Sequence, residues 1–305
     1  MINRLTPLRP VLSASEVRCH LRLVDDSESD LLESYLLAAM EEIEHQCERA
    51  LCAAQYSLTL PAWPVYSSAI SGPLPFAEND PYRSVSGQLV ELHRPPVRKI
   101  TSLQYYDASN QSQTLDSDEY QLLTITEPSE LRPAADTNWP SVKNRRDAIT
   151  ITFWAGHVIP IAVASYNDDT LTSLTGYPFA NGDSFVISKS GNTNSLVGDV
   201  SVFPGGISER TTVYVVNASG SQFQIALSAG GSAISLVAPT ASGEAVDLLF
   251  AYELDHWQRR ALLMMAGKAF AMRCPQGGCV CSADDFQSDP ILRRMKWREN
   301  VTFAG

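Results

Sequence analysis

Ala148-Ile-Thr-Ile-Thr-Phe-Trp-Ala-Gly156 reads as a strand: Ile149, Ile151 and Phe153 fall on one face, and Thr150, Thr152 and Trp154 on the other. Period-two alternation of β-branched and aromatic residues marks a half-buried strand. The strand pattern ends near Pro160, and the next long helical pattern opens only at about Glu253, running to about Cys274. Between them, residues 163–250 contain two cations, Lys189 and Arg210, and are rich in Gly, Ser, Thr and Asn. Phe185-Val-Ile-Ser188, Thr212–Val216, Gln222–Ala226 and Ala233–Val237 read as short strands, separated by turns at Asn181-Gly182, Gly205-Gly206 and Gly230-Gly231. Regular short strands with Gly turns predict a small all-β sandwich or barrel. An insert of this size survives at a loop because closure entropy grows slowly with loop length.

Upstream, Ser13-Ala-Ser-Glu16 opens a helix running to about Leu23, with Val17 and Leu21 on one face. Ser27 and Asp30 have the spacing of a capping box. The helix that follows runs to about Leu51, with Leu32, Tyr35, Leu36, Ala39, Ile43 and Cys47 on one face. Glu33, Glu41, Glu44 and Glu48 lie mostly off that face and are expected to stay in water. Strands are predicted at Tyr56–Leu60, Gln88–Leu92, Ile100–Tyr106 and Tyr120–Ile125; the third enters a hairpin at Asp107-Ala-Ser-Asn-Gln-Ser112. A proline-punctuated loop spans 62–86. The predicted fold is α+β. A small helical-bundle domain with a short-stranded β region (1–162 plus 251–305) is interrupted by an inserted all-β domain (163–250).

Composition narrows the function. The 305 residues carry 34 Asp and Glu against 23 Lys and Arg, a formal charge of −11. Tight nucleic-acid binding needs clustered cations, so a DNA-reading protein is a poor fit, whereas an acidic wall past which DNA slides is compatible. No segment reaches the ~18 apolar residues of a membrane span, and Pro7 and Pro10 interrupt any secretory signal, so no membrane partner is expected. Six cysteines are too few for a disulfide scaffold. No P-loop, zinc-protease, dinucleotide or nucleophile-elbow motif is present, and His20, His45, His93, His157 and His256 lie on separate elements. No enzyme and no cofactor are expected.

Several stretches together resemble the head–tail connector (adaptor, or head-completion) proteins of long-tailed bacteriophages. They are Ser15-Glu-Val-Arg-Cys-His-Leu-Arg-Leu23 with Asp25-Asp26 and Leu31–Ala39, and Leu92-His-Arg-Pro-Pro-Val-Arg-Lys-Ile-Thr-Ser-Leu-Gln-Tyr-Tyr-Asp107. Leu115-Asp-Ser-Asp-Glu-Tyr120 with Trp139-Pro140 follows, then Ala148–Gly156 and Ile291–Arg298. The resemblance implies a virion protein that forms a ring beneath the portal, expected to match its twelvefold symmetry. Such a ring extends the DNA channel without specific DNA binding and presents a platform for a stopper or tail-completion protein. The insert departs from the family pattern and more loosely resembles β modules of phage tail and fibre proteins, through Phe203–Asn217, Phe223 and Gly230–Ile234. The rival reading is a tail or baseplate adhesion protein whose β domain binds a host glycan.

Candidate sites follow. Cys274, Cys279 and Cys281 are a zinc candidate, although the gaps and the lack of a nearby His favour free thiols, so no metal is expected. Cys47 and Cys52 read as packing residues. Tyr177, Phe179, Phe203, Tyr214 and Phe223 are either a sugar platform or, preferably, the core of the insert. The acidic helix is either a solvated face or a channel-facing ring. Leu254, Trp257, Ala261, Met265 and Met272 form a stripe on a helix that is apolar on more than one side. In the tail, Ile291, Leu292, Met295 and Trp297 alternate with Arg293, Arg294, Lys296 and Arg298. Exposed apolar residues at a terminus point to a protein contact. Trp257, Met265 and Ile291–Arg298 are therefore the expected portal or subunit interface, with DNA contact or a solvated tail as alternatives.

Overall fold

The computed structural model of the protein describes residues 1–23, 29–64, 89–125, 128–190, 203–238 and 248–271. In chain order, strand β1 (Ile2–Arg4) precedes helices α1 (Ala14–Leu21) and α2 (Ser29–Cys47). Next come β2 (Ala54–Leu60), β3 (Val90–Leu92), β4 (Val97–Tyr106), β5 (Ser112–Thr114), β6 (Tyr120–Leu123), β7 (Ser129–Pro133) and β8 (Ile149–Ala155). Strands β9 (Ile159–Ser165), β10 (Thr170–Ser173), β11 (Ser184–Ser190), β12 (Thr212–Ser219), β13 (Gln222–Ala226) and β14 (Leu248–Ala251) lead to helix α3 (His256–Ala271). The architecture is α+β, as the sequence predicts. Two compact units divide the chain: Met1–Leu5 with Gln55–Ala155, and Thr6–Ala54 with Gly156–Gly305.

The first unit holds a five-stranded sheet ordered β1-β2-β8-β4-β5 and a three-stranded sheet ordered β3-β7-β6. On β8, Ile149, Ile151 and Phe153 are fully buried while Thr150 and Thr152 are half-buried, so the alternation holds. It breaks at Trp154, which is also buried. The expected hairpin forms: Asp107 Oδ1 accepts from the Ser109 and Gln111 backbone N–H groups, both at 2.9 Å. Trp63 and Trp139 stack with ring centroids 4.2 Å apart, and Trp63 Nε1–H donates to the Pro140 carbonyl.

In the second unit, six antiparallel strands close a barrel ordered β10-β13-β12-β11-β14-β9. Closure removes the unpaired edges that an open sheet leaves exposed. Barrel strands extend past the compositional boundaries 163 and 250, because β9 begins at Ile159 and β14 ends at Ala251. Ala233–Val237 is not the expected strand: Ile234 N–H donates to the Ile225 carbonyl, and Val237 makes an isolated bridge with Gly205. Phe179 lies 4.4 Å from Phe223 and 4.9 Å from Tyr177, centroid to centroid, and all three rings are buried. These rings are barrel core, which removes them from any sugar platform; Phe203 and Tyr214 are half-buried.

The same unit contains the three helices, which share one core. Leu32, Leu36, Met40 and Ile43 of α2 are at most 1% exposed and pack with Val17, Leu262, Ala266, Val158 and Phe250. Burial of each such large side chain contributes about 1.5–3 kcal/mol. Cys47 and Cys52 are buried free thiols, in keeping with a packing role.

Candidate assembly surface

Local chemistry fixes each helix end. Ser13 caps α1, its Oγ accepting from the Glu16 N–H at 3.2 Å. The helix stops at Leu21, two residues before the expected end at Leu23, and Arg22 caps it in the left-handed conformation (φ 57°). The Ser27 capping box lies outside the described residues. Helix α2 stops at Cys47 rather than Leu51, where Glu48 turns left-handed (φ 53°). Glu44 is not in water as the sequence suggested: it is 5% exposed, and its Oε1 accepts from the Leu51 N–H at 2.7 Å and the Cys52 N–H at 3.4 Å. The carboxylate satisfies amides that no strand pairs at that bend.

The segment after this bend lies beside the one entering the barrel. His157 and Val158 donate backbone N–H groups to Ala50 and Leu51, and Ala53 N–H donates to Val158. Gly156, at φ 147°, sits where a Cβ would come 2.4 Å from the Ala53 Cα. Only glycine fits so close a backbone approach in that conformation.

Helix α3 begins at His256, three residues later than expected, because Gln258 organises its first turn. The Gln258 amide oxygen accepts from the Asp255 N–H at 3.0 Å, and its Nε2 lies 3.0 Å from His157 Nε2. An amide nitrogen only donates, so His157 Nε2 accepts and the ring proton resides on Nδ1. Gln258 is fully buried. Arg259 Nε–H donates to Glu16 Oε1, tying α3 to the first turn of α1.

The expected interface residues separate. Trp257 and Met265 are half-buried and pack against the helical core of their own chain. Ile291, Leu292, Arg293, Arg294, Met295, Lys296, Trp297 and Arg298 lie outside the described residues, as do Met272, Cys274, Cys279 and Cys281. What faces solvent on α3 is another ridge, His256, Arg260, Met264 and Lys268. An i, i+4 run of cations around one Met was the signal for it. On α2, Asp30, Glu33, Glu41 and Glu42 are exposed, and that helix contains no Lys or Arg.

Among the described residues, no three His, Cys, Asp or Glu side chains gather to hold a metal. No helix there is long and apolar enough to cross a membrane. In the first unit the clearest electrostatic cluster lies beside the β4–β5 hairpin. Arg145 lies 3.6 Å from the Tyr106 ring centroid and grips Asp147 at both oxygens, at 2.7 and 2.6 Å. The hydrogen bond from Arg145 holds the Asp147 carboxyl below its usual range. The Gln111 amide does the same for Asp107. Such an arrangement stiffens a surface.

Residues 13–77, which include α1, α2 and β2, match the phage gp6-like head-tail connector protein family. The chain is similar to phage head–tail connectors. That likeness is to a structural family, not an enzyme family. A chain from the virion of a native gene transfer agent particle shares the fold over 99% of this chain and 98% of its own, at 16% identity and TM-score 0.50. A chain from the neck of an empty gene transfer agent particle, computed with C6 symmetry, covers 52% of this chain and 71% of its own (24% identity, TM-score 0.38). One from the native neck, computed with C12 symmetry, covers 99% and 98% (13% identity, TM-score 0.45). No curated protein matches the chain.

Proposed function

We propose that this protein is a structural component of the virion at the head–tail interface, assembled in the bacterial host cytoplasm. Copies form a ring under the portal, twelvefold if it follows the portal, which extends the DNA channel and offers a platform to a stopper or tail-completion protein. The observation that carries the reading is the connector-family match over 13–77. Support comes from the segment's packing: α1 and α2 share a core with α3, as expected of a small helical adaptor bundle. The acidic composition suits a channel that DNA traverses without sticking, since like charge repels phosphate.

The tail is assigned to docking. Ile291, Leu292, Met295 and Trp297 serve as apolar anchors, and Arg293, Arg294, Lys296 and Arg298 suit an acidic groove on the portal or a neighbouring copy. Trp257 and Met265 shape the helix at the base of that tail. Residues 163–250 form an inserted domain that points away from the ring axis, its barrel completed by Ile159–Ala162 and Ala251. Its excision with a short linker leaves a soluble, cooperative remainder; loss of all folded structure counts against that partition.

Electron microscopy of portal complexes tests the docking assignment. Trp297→Ala, or truncation after Gln287, is expected to abolish incorporation while the monomer stays folded, because buried Trp is over-represented among energetic hot spots. Normal incorporation of the truncated chain overturns it. Partial loss that deepens with salt shifts the weight to the four cations, since exposed ion pairs are screened.

A further inference from the structure

His157 and Gln258 form a joint that the assembly role does not use. Gln258 is the third residue of α3 and is fully buried, and its Oε1 accepts from the Asp255 N–H at 3.0 Å. That is the return half of a capping box. The bond fixes the amide: its oxygen faces Asp255, so its Nε2 faces His157 Nε2, 3.0 Å away. The amide nitrogen only donates, so the ring accepts at Nε2 and is neutral there. A charged imidazolium carries N–H on both nitrogens and would meet the Gln258 N–H donor to donor. Turning the amide to offer its oxygen to the ring would leave the Asp255 N–H facing an NH2 group. Either way one bond of the joint is lost, and no water reaches the buried Gln258 side chain to replace it.

We propose that His157 is a proton-sensitive latch on α3: proton uptake at its Nε2 opens the capping box and frees the first turn of the helix. The inference stands apart from the ring proposed above. The ring of His157 is half-buried, so solvent protons reach it, and its backbone N–H is held separately by the Ala50 carbonyl. Strand β14 ends at Ala251 and α3 begins at His256, so the latch sits where the chain passes from barrel to helical core. The same turn carries Arg259, which donates to Glu16 of α1. The charged groups on the elements packed there are Glu44, Glu48 and Arg49 from the end of α2 and its bend, and Glu253, Asp255, His256 and Arg259 from α3 and its approach. Glu44 is committed to the Leu51 and Cys52 amides, Glu253 to Arg210 and Arg259 to Glu16. Glu48, Asp255 and His256 are exposed and screened by solvent, and the buried Arg49 opposes a second positive charge. Hydrogen bonding to the neutral ring disfavours its charged form. The folded chain therefore binds this proton more weakly than the unfolded chain. The latch contributes its full stability above the free-imidazole value of about 6.5 and loses it as pH falls below that value.

Nuclear magnetic resonance of the full chain tests the latch. The His157 ring signals are assigned by their loss in His157→Gln. The ring is expected to titrate about one unit or more below the ~6.5 of a free imidazole, and the Asp255 amide signal should move with the same midpoint. Gln258→Glu keeps an acceptor for the Asp255 N–H and gives the ring a carboxylate, which accepts from the charged form. In that variant the His157 midpoint should rise above about 6.5, and the fall in melting temperature between about pH 7 and about pH 5 should shrink or reverse. His157→Gln accepts from Gln258 at every pH and should also lose less than the parent over that range. A role confined to packing moves none of these midpoints. A parent midpoint at or above about 6.5, or an Asp255 amide that does not follow it, overturns the latch. An unchanged midpoint in folded Gln258→Glu overturns it as well. Should that variant not fold, the titration of the parent decides alone.

Discussion

Arg259 Nε–H donates to Glu16 Oε1, joining residues 243 positions apart in sequence. The Glu16 side chain is 9% exposed and that of Arg259 is 31%. The pair lies at the border of the helical core and fastens the start of α3 to the start of α1. Charged hydrogen bonds of this kind contribute more than neutral ones, with a discount for the wet guanidinium. Arg259→Ala should lower unfolding free energy by about 1–3 kcal/mol, because it leaves the buried carboxylate without that donor. Urea denaturation reads the change.

Glu44→Leu should cost more than its apolar gain suggests. It removes the acceptor for the Leu51 N–H and the weaker acceptor for the Cys52 N–H, both buried. Each unsatisfied buried group costs about 1–3 kcal/mol. Glu44→Gln keeps an acceptor oxygen and should recover about half of the loss. Parallel melts of the two variants provide the comparison.

Gly156→Ala tests the backbone crossing. A methyl group there meets the Ala53 Cα and N at 2.4 Å and the Cys52 carbonyl carbon at 2.6 Å, and these backbone atoms cannot step aside cheaply. Strain at a positive φ adds of order 1–3 kcal/mol to the overpacking. The variant is expected to melt well below the parent or to accumulate as insoluble protein. Parent-like melting contradicts the close approach.

Acid should loosen the hairpin region through Asp147 and Asp107. Both carboxyls are held below their ordinary values, Asp147 first by the Arg145 hydrogen bond and Asp107 first by the Gln111 N–H. A carboxyl with a depressed folded-state pKa contributes stability that is present above its unfolded value, here 3.8, and lost as pH falls through the folded value. The double variant Asp107→Asn, Asp147→Asn should therefore start less stable at neutral pH. It should lose less than the parent between about pH 5 and about pH 2. Melting temperature against pH records the two slopes.

Helix α2 was legible because Leu32, Leu36, Ala39, Ile43 and Cys47 repeat at helical spacing over 19 residues. The role of Glu44 was hidden: the amides it serves belong to Leu51 and Cys52, in an irregular bend that periodicity does not describe. The barrel was expected as a class, yet β10 and β14 are four residues each, too short for alternation to register. Ala233–Val237 had strand composition and fails as a strand because its bonds are isolated: Ile234 and Val237 pair with single backbone groups, and the Leu236 N–H goes to the Asp169 carboxylate instead of a neighbouring strand. On α3, apolar residues on several sides drew attention to Trp257 and Met265, which pack on their own core. The outward ridge around Met264 has few apolar atoms and gave a weaker signal.

The central claim is a ring of this protein beneath a portal. Its most direct measurement is electron microscopy of the purified chain mixed with its cognate portal. The account predicts a ring of copies seated on the tailward face of the portal, matching its rotational symmetry, with a DNA-wide channel continuous through both. Portals that remain bare at saturating protein, or that carry the chain only as isolated copies on the outer surface, contradict it.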